Sequence, residues 1–336
     1  MKSLGVVVIG RNEGMRLVRC LESLLAENSP NLNLHIVYVD SGSTDGSIIQ
    51  AQSLGVEVVE LDLSIPFTAA RARNAGLEFL VCRHPQLEFV QFVDGDCRIA
   101  PGWLERGIKE LEKHPEIVVV CGRRREEYPE KSIYNRLCDI EWNTPVGEAK
   151  SCGGDAMMRV TALQRVGGFN PSLIAGEEPE LCVRLREAGG KIWRIDGDMT
   201  YHDAQMTKFS QWWKRSLRAG HAYAEGAWLH GNTSQRHWLK ETVSIWIWGF
   251  VIPCLAMITA WWTQGWSLVL LLVAYIWLGY KVYRSTRDRS FNRTDACYYA
   301  IACTVGKFPQ IQGQIQFFLS RILNRQNTLV EYKSAS

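Results

Sequence analysis

At 336 residues and a formal net charge of +3, the chain is long enough for one large α/β domain with a smaller appendage, and too evenly charged for a nucleic-acid groove. Its ten cysteines are scattered singly from Cys20 to Cys303, without a C-x-x-C pair, which excludes a small disulfide-stapled domain and points to reduced, mostly buried thiols. The amino terminus runs directly into Gly5-Val6-Val7-Val8-Ile9, with neither a basic leader nor a small-residue cleavage site, so the bulk of the protein is expected in the cytoplasm.

Over the first 120 residues, short apolar runs alternate with amphipathic segments, the pattern of a parallel sheet covered by helices. Strands are expected at Gly5 to Ile9, Leu34 to Val39, Val56 to Leu61 and Phe89 to Val93. Between the first two, Met15, Val18, Leu21, Leu24 and Leu25 mark the apolar face of a helix. The second strand ends in Asp40 and the loop Ser41-Gly42-Ser43-Thr44-Asp45, rich in turn formers, at the sheet edge where open α/β sheets bind ligands. A plain turn with an Asx-type hydrogen bond is the simpler reading of that loop. No G-x-G-x-x-G follows the first strand and no G-x-x-x-x-G-K-[ST] occurs, which removes the main support for dinucleotide and P-loop readings.

The fourth strand ends in Asp94-Gly95-Asp96. Such a triplet is usually a solvated turn, but two carboxylates at a strand end also suit a hard cation such as Mg²⁺ or Mn²⁺. A departing diphosphate needs such a cation, because charge builds on its oxygens. Further on, Glu177 and Glu178 open a helix, a place where paired acids commonly do no more than complement the dipole. His202, in Thr200-Tyr201-His202-Asp203, is on its own more often structural than a ligand.

Taken together, these motifs resemble the family 2 glycosyltransferases, inverting enzymes with a GT-A fold. Val8-Ile9-Gly10-Arg11-Asn12-Glu13 is similar to the family's first strand and turn, and Asp40 to Gly46 to its D-x-G-S-T-D-G loop. Ala72-Arg73-Asn74-Ala75-Gly76 resembles its A-R-N-x-G helix start. Cys152-Gly153-Gly154-Asp155 with Arg165 to Phe169 resembles the floor of the acceptor site, and Gly176 to Leu185 the G-E-D-x-x-L-x-x-R-L segment. The likeness runs from Leu4 to about Ala224. It implies a nucleotide-sugar donor, UDP- or GDP-linked, held by Asn12, Glu13, Asp40, Arg73 and Asp94. It also implies a divalent metal at Asp94, Asp96 and His202, and Glu178 as the base that deprotonates the acceptor hydroxyl. The family's usual base is Asp; Glu reaches about 1 Å farther, and general-base chemistry survives if the geometry compensates. Gln211-Trp212-Trp213-Lys214-Arg215 only approximates the Q-x-x-R-W box of polymerising members, which favours addition of a single sugar.

Composition changes near Arg236: from Thr242 to Tyr280 there is no Asp, Glu, Lys or Arg. Stretches 243–262 and 266–283, joined by Thr263-Gln264-Gly265, are each of bilayer-spanning length and read as a transmembrane helical hairpin, kinked at Pro253. Trp246, Trp248, Trp261, Trp262 and Trp266 lie toward the span ends, and Lys240, Lys281, Arg284, Arg287 and Arg289 flank the pair, which puts both flanks on the cytoplasmic side. Ile311, Ile315, Phe318, Leu319, Ile322 and Leu323 then recur at helical spacing, as in an amphipathic helix at about 309–324 lying in the interface.

The expected architecture is thus a GT-A catalytic domain over 1–235, a mostly parallel sheet flanked by helices, and a membrane region over 236–336. The expected protein is a multi-pass enzyme of the cytoplasmic (inner) membrane whose catalytic domain faces the cytoplasm. Its expected reaction is non-processive, metal-dependent, inverting transfer of a sugar to a lipid-linked or membrane-proximal glycan acceptor. Two competing readings are a nucleotidyltransferase and a non-catalytic membrane scaffold that retains a nucleotide-sugar-binding fold.

Overall fold

The structure, a computed structural model, describes residues 2–27, 30 and 32–324. The described residues form two compact units: one holds those within 2–127 together with 142–204, the other 128–141 and 205–324.

The first unit is built on one sheet. Its strands are β1 (Lys2–Gly10), β2 (Leu32–Asp40), β3 (Glu57–Glu60), β4 (Phe89–Asp94), β5 (Cys97–Ile99), β6 (Ile117–Glu126), β7 (Gly147–Glu148), β8 (Met157–Arg159) and β9 (Lys191–His202). They lie in the order β3-β2-β1-β4-β8-β6-β9-β5, with β7 also on β9. The four strands expected from the sequence are all present and mutually parallel. Beyond β4 the sheet is mixed: β8 runs antiparallel to both β4 and β6, and β5 and β7 antiparallel to β9, while β6 and β9 are parallel. The expected mostly parallel sheet therefore describes one half of it. Strands of two or three residues, such as β5, β7 and β8, are too short to leave a periodic signature in sequence.

β1, β2 and β4 are nearly continuous apolar runs because both faces are covered; Val6, Val7, Val8, Val37, Val39, Phe92 and Val93 are fully buried. The helix Met15–Leu25 does not bury the face read from the sequence. Leu17, Cys20, Leu21 and Leu24 are buried, whereas Met15 is 62% exposed and Leu25 is also exposed. The i, i+3, i+4, i+7 stripe starts at Leu17 once Cys20 is counted as the small hydrophobe it is.

Helix Ala69–Arg83 lies directly on β1 and β2 at Gly76, where an added Cβ would come within 2.4 Å of Val7 Cγ1 and 3.0 Å of Val39 Cγ2. Gly76→Ala is accordingly expected to destabilise the protein by about 1–3 kcal/mol through overpacking, read as a lower urea midpoint at unchanged m-value. An unshifted midpoint would mean that the helix is free to back away.

The second unit is helical. Helix Phe209–His230 and helix Lys307–Ile322 cross at backbone contact: a Cβ on Gly220 would meet the Gln310 carbonyl oxygen at 2.0 Å, and one on Gly313 the Leu217 carbonyl oxygen at 2.0 Å. Small residues at a crossing let two helices approach this closely. Gln211 caps the first of these helices, its Oε1 accepting from the Thr207 and Lys208 amides at 2.8 and 2.9 Å.

Two helices of this unit, Leu239–Thr259 and Trp266–Asp288, are long and apolar enough to cross a bilayer. Only 17% and 0% of their most apolar windows are buried, whereas a core pair in a soluble protein would be largely covered. The first contains a π turn at Ile247–Val251, just ahead of Pro253. Pro253 has no N–H to give back to the preceding turn, and the wider turn absorbs that defect. Of the apolar face expected to lie on a membrane surface, part is internal. Ile311 packs against Gly249, while Leu319, Ile322 and Leu323 remain exposed.

Candidate active site

The carboxyl ends of β1 and β2 are stitched together by two loops. Asn12, held at φ 54°, accepts from the Thr44 amide on Oδ1 at 2.7 Å, and its own N–H donates to Ser43 Oγ at 2.9 Å. Asp40 is buried, and both its oxygens serve this loop: Oδ1 accepts from the Tyr38 hydroxyl and Oδ2 from the Gly42 and Ser43 amides, all at 2.8 Å. Burial pushes the Tyr38 phenol well above its ordinary pKa, so it remains a donor. The Asx-type turn weighed as the simple reading is present, and it shapes the rim of the sheet. Glu13, just before the helix Met15–Leu25, pairs with Arg16 of that helix at 2.7 Å.

At the end of β4 lies a partly buried ionic chain. Arg73 donates through Nη1 to Glu177 Oε1 at 2.7 Å and through Nη2 to Asp94 Oδ1 at 2.8 Å. Asp94 Oδ2 accepts from Arg124 Nη2 at 3.0 Å, and Arg124 also pairs with Asp155 Oδ2 at 2.7 Å. Asp155, fully buried, accepts from the Asp94 amide on Oδ1 at 2.9 Å and from the Thr200 hydroxyl on Oδ2 at 2.7 Å. Burial opposes the charge on both guanidiniums. For Arg73, Asp94 and Glu177 more than offset it; for Arg124, Asp155 leads, so both pKa values rise. Gly154 packs on this chain, and a Cβ there would sit 2.7 Å from Arg73 Nη2 and 3.1 Å from Asp94 Oδ2.

Asp96 and His202 form a separate pair. Both are buried, with Asp96 Oδ2 at 3.2 Å from His202 Nε2. His202 Nδ1 lies 3.8 Å from Glu126 Oε2 and has no hydrogen-bond partner among the described residues, while Trp142 packs edge-on at 4.9 Å. Two neighbouring ligands of an octahedral cation with bonds near 2.1 Å stand about 3.0 Å apart, so this pair fits a cation such as Mg²⁺ or Mn²⁺. A proton fixed on Nδ1 would then face Glu126, the usual outer-shell arrangement. Cys97 sits within the same group, its Sγ 3.8 Å from Asp96 Oδ1. Asp94 is not gathered with Asp96 and His202; its oxygens lie among guanidiniums instead.

Glu178 occupies the first turn of helix Glu177–Glu187, beside Glu177 and Glu180, where the dipole favours negative charge. It is buried, and its Oε1 accepts from the Cys152 amide at 2.6 Å and from the Cys152 and Cys182 thiols at 2.9 Å each. The neighbouring segment is held by Asn74, which bonds both the amide and the carbonyl of Phe169, at 2.9 and 2.7 Å. The A-R-N-x-G run thus uses each residue differently: Arg73 for the ionic chain, Asn74 for the Gly168-Phe169 turn, Gly76 for close packing on the sheet.

Of the residues singled out from sequence, the structure joins Asp96 to His202, and Arg73 to Asp94. Through Glu177 it ties the helix of Glu178 to that second pair. Arg124 and Glu126 lie outside every motif singled out from the sequence, whereas Asp155 and Cys182 lie inside two of them. The signal for Arg124 and Glu126 was visible, in that Arg123-Arg124-Arg125-Glu126 continues an apolar strand, where charges are not left unpaired.

Residues 5–164 match the profile of glycosyl transferase family 2. The chain is 24% identical over 252 residues to glycosyltransferase AglE of Haloferax volcanii, covering 73% of this chain and 79% of that protein. It is 26% identical over 203 residues to the succinoglycan biosynthesis protein ExoA of Rhizobium meliloti, covering 57% and 60%. Among solved structures it resembles the mannosyltransferase PcManGT of Pyrobaculum calidifontis, in complex with GDP-Man and Mn²⁺, at a TM-score of 0.61 and 17% identity, covering 95% of this chain and 87% of that one. It also resembles S. aureus TarS residues 1–349 at a TM-score of 0.54 and 15% identity, covering 94% and 91%.

Proposed function

From the premise that this chain is a family 2 glycosyltransferase of GT-A fold, we infer that it carries out metal-dependent, inverting transfer of a single sugar from a UDP- or GDP-linked donor to a lipid-linked or membrane-proximal acceptor. The observation that carries the reading is the ionic chain Glu177–Arg73–Asp94–Arg124–Asp155, in which Arg73 and Asp155 are buried. It locks the helix start bearing Glu178 to the strand end bearing Asp94 and Asp96, so the base and the donor side are positioned by one rigid set of bonds.

In this reading Asp96 and His202 would hold a divalent cation, which would supply positive charge for the departing diphosphate. Arg73 and Arg124, both permanently charged, add positive potential beside Asp94, which faces the ribose. Asn12, Glu13 and Asp40 shape the nucleotide side of the rim. Glu178 takes the proton from the acceptor hydroxyl as that oxygen attacks the anomeric carbon from the face opposite the leaving group, so one displacement inverts the centre. The two long, uncovered apolar helices support a membrane hairpin, with the catalytic unit on the cytoplasmic side where Lys281, Arg284, Arg287 and Arg289 cluster.

The test is a panel of nucleotide sugars offered to the full chain purified in detergent. Nucleoside diphosphate is expected to appear with one donor, to vanish with EDTA and to return with Mn²⁺ or Mg²⁺. Release of pyrophosphate instead would identify a nucleotidyltransferase, and a rate unaltered by Asp96→Ala would identify a scaffold. His202→Ala is expected to raise the metal concentration for half-maximal rate at least as much as losing an outer-shell partner does, roughly 10–100-fold. For the hairpin, the chain should stay with the membrane pellet after alkaline extraction; release into the supernatant would overturn it.

A further inference from the structure

The pocket around Glu178 Oε1 has a composition that a hydroxyl-activating carboxylate does not require. Two thiols, from Cys152 before the Gly153-Gly154 turn and from Cys182 one helical turn beyond Glu178, converge on the same oxygen, each 2.9 Å away, with the two sulfurs 3.6 Å apart. Cys182 is fully buried, Cys152 is 8% exposed and Glu178 5%. Sulfur–sulfur separation in a tetrahedral zinc site with bonds of 2.3 Å is about 3.8 Å, close to what is observed here. The corresponding sulfur–oxygen separation is about 3.6 Å, so Oε1 has to withdraw by under about 1 Å, within reach of one side-chain rotation.

We propose that Cys152, Cys182 and Glu178 form a site for a soft divalent cation, Zn²⁺ in kind, that is distinct from the Asp96–His202 site and inhibits the enzyme by taking the carboxylate of Glu178. Both thiols lose their protons to solvent as two metal–sulfur bonds form, the carboxylate supplies the third bond, and the fourth position is left to water. Oxygen-preferring Mg²⁺ or Mn²⁺ is directed to Asp96 and His202, whereas the thiols select a softer ion. The same protein thus separates an activating from an inhibiting cation by ligand type. The inhibitory half rests on Glu178 being the base; the binding half does not.

Cadmium is the probe, because its thiolate charge-transfer band in the ultraviolet is read without any turnover. With the full chain in detergent, reduced and stripped of metal, one equivalent of Cd²⁺ is expected to give the band of two thiolates. Cys152→Ser and Cys182→Ser, which keep the size and a donor to Glu178, are each expected to lose about half of it, and Cys97→Ser none. A band unchanged in both Cys152→Ser and Cys182→Ser would overturn the site. In parallel, Zn²⁺ added over saturating Mn²⁺ is expected to inhibit the wild type, with at least tenfold more needed for either serine variant, each compared with its own zinc-free rate. A normal cadmium band together with full activity in Zn²⁺ would leave the site standing, and would overturn the inhibition and with it the role of Glu178.

Discussion

Glu178→Gln is expected to lower kcat by roughly 10²–10⁴-fold, the usual worth of a positioned general base, with little change in the donor KM. Glutamine keeps the volume and retains an oxygen for the Cys152 amide and the two thiols, so the pocket should persist. What disappears is the ability to take a proton. The readout is nucleoside diphosphate release at saturating donor and acceptor, with the melting temperature as a control on folding. Loss of more than a few degrees would assign the effect to structure. An undiminished kcat would remove Glu178 from the mechanism and send the search to another carboxylate.

Asp155→Ala should have the largest effect on stability, about 3–5 kcal/mol, the cost of leaving a buried charge without its partner. The carboxylate is fully buried and serves three groups at once: the Asp94 amide, the Thr200 hydroxyl and Arg124. Its loss would orphan an amide at the strand end and leave Arg124 with less than its full complement of negative charge. Chemical unfolding followed by tryptophan fluorescence would measure the change. Arg124→Met in the Asp155→Ala background is expected to recover part of it, since removing the second charge relieves the penalty created by removing the first. If the double variant is no more stable than the single one, the cost lies in the amide and hydroxyl instead.

Much of this protein was legible along the chain. The four parallel strands follow from apolar runs long enough to leave a period, and the loops after Ile9, Val39 and Val93 follow from Gly, Asn, Asp and Ser placed where strands must end. The hairpin of apolar helices follows from a charge-free stretch that no soluble surface helix could carry. Local order of this kind depends on residues near one another in sequence, and periodicity records it directly. The helix at Met15–Leu25 shows the limit, since several stripes fit its composition and only the packing partner selects the one through Leu17 and Cys20.

What the tertiary structure decided is which polar groups meet. The fold turns the Asp40 carboxylate toward the amides of the loop that follows it; Asp94 and Asp96, two positions apart, are sent to different company, one to two guanidiniums and the other to His202. Strand alternation would put residues i and i+2 on one face, but the turn at Gly95 and Asp96 that follows β4 breaks it, and what waits on each side comes from residues 21 to 106 positions distant. Arg73 reaches Asp94 and Glu177, Asp155 reaches Asp94 and Thr200, and His202 reaches Asp96 only because β5 pairs with β9. Buried charge is stable only when its counter-charge and hydrogen bonds are in place. The site is thus determined by sheet order, while the sequence by itself determined the strands that the order arranges.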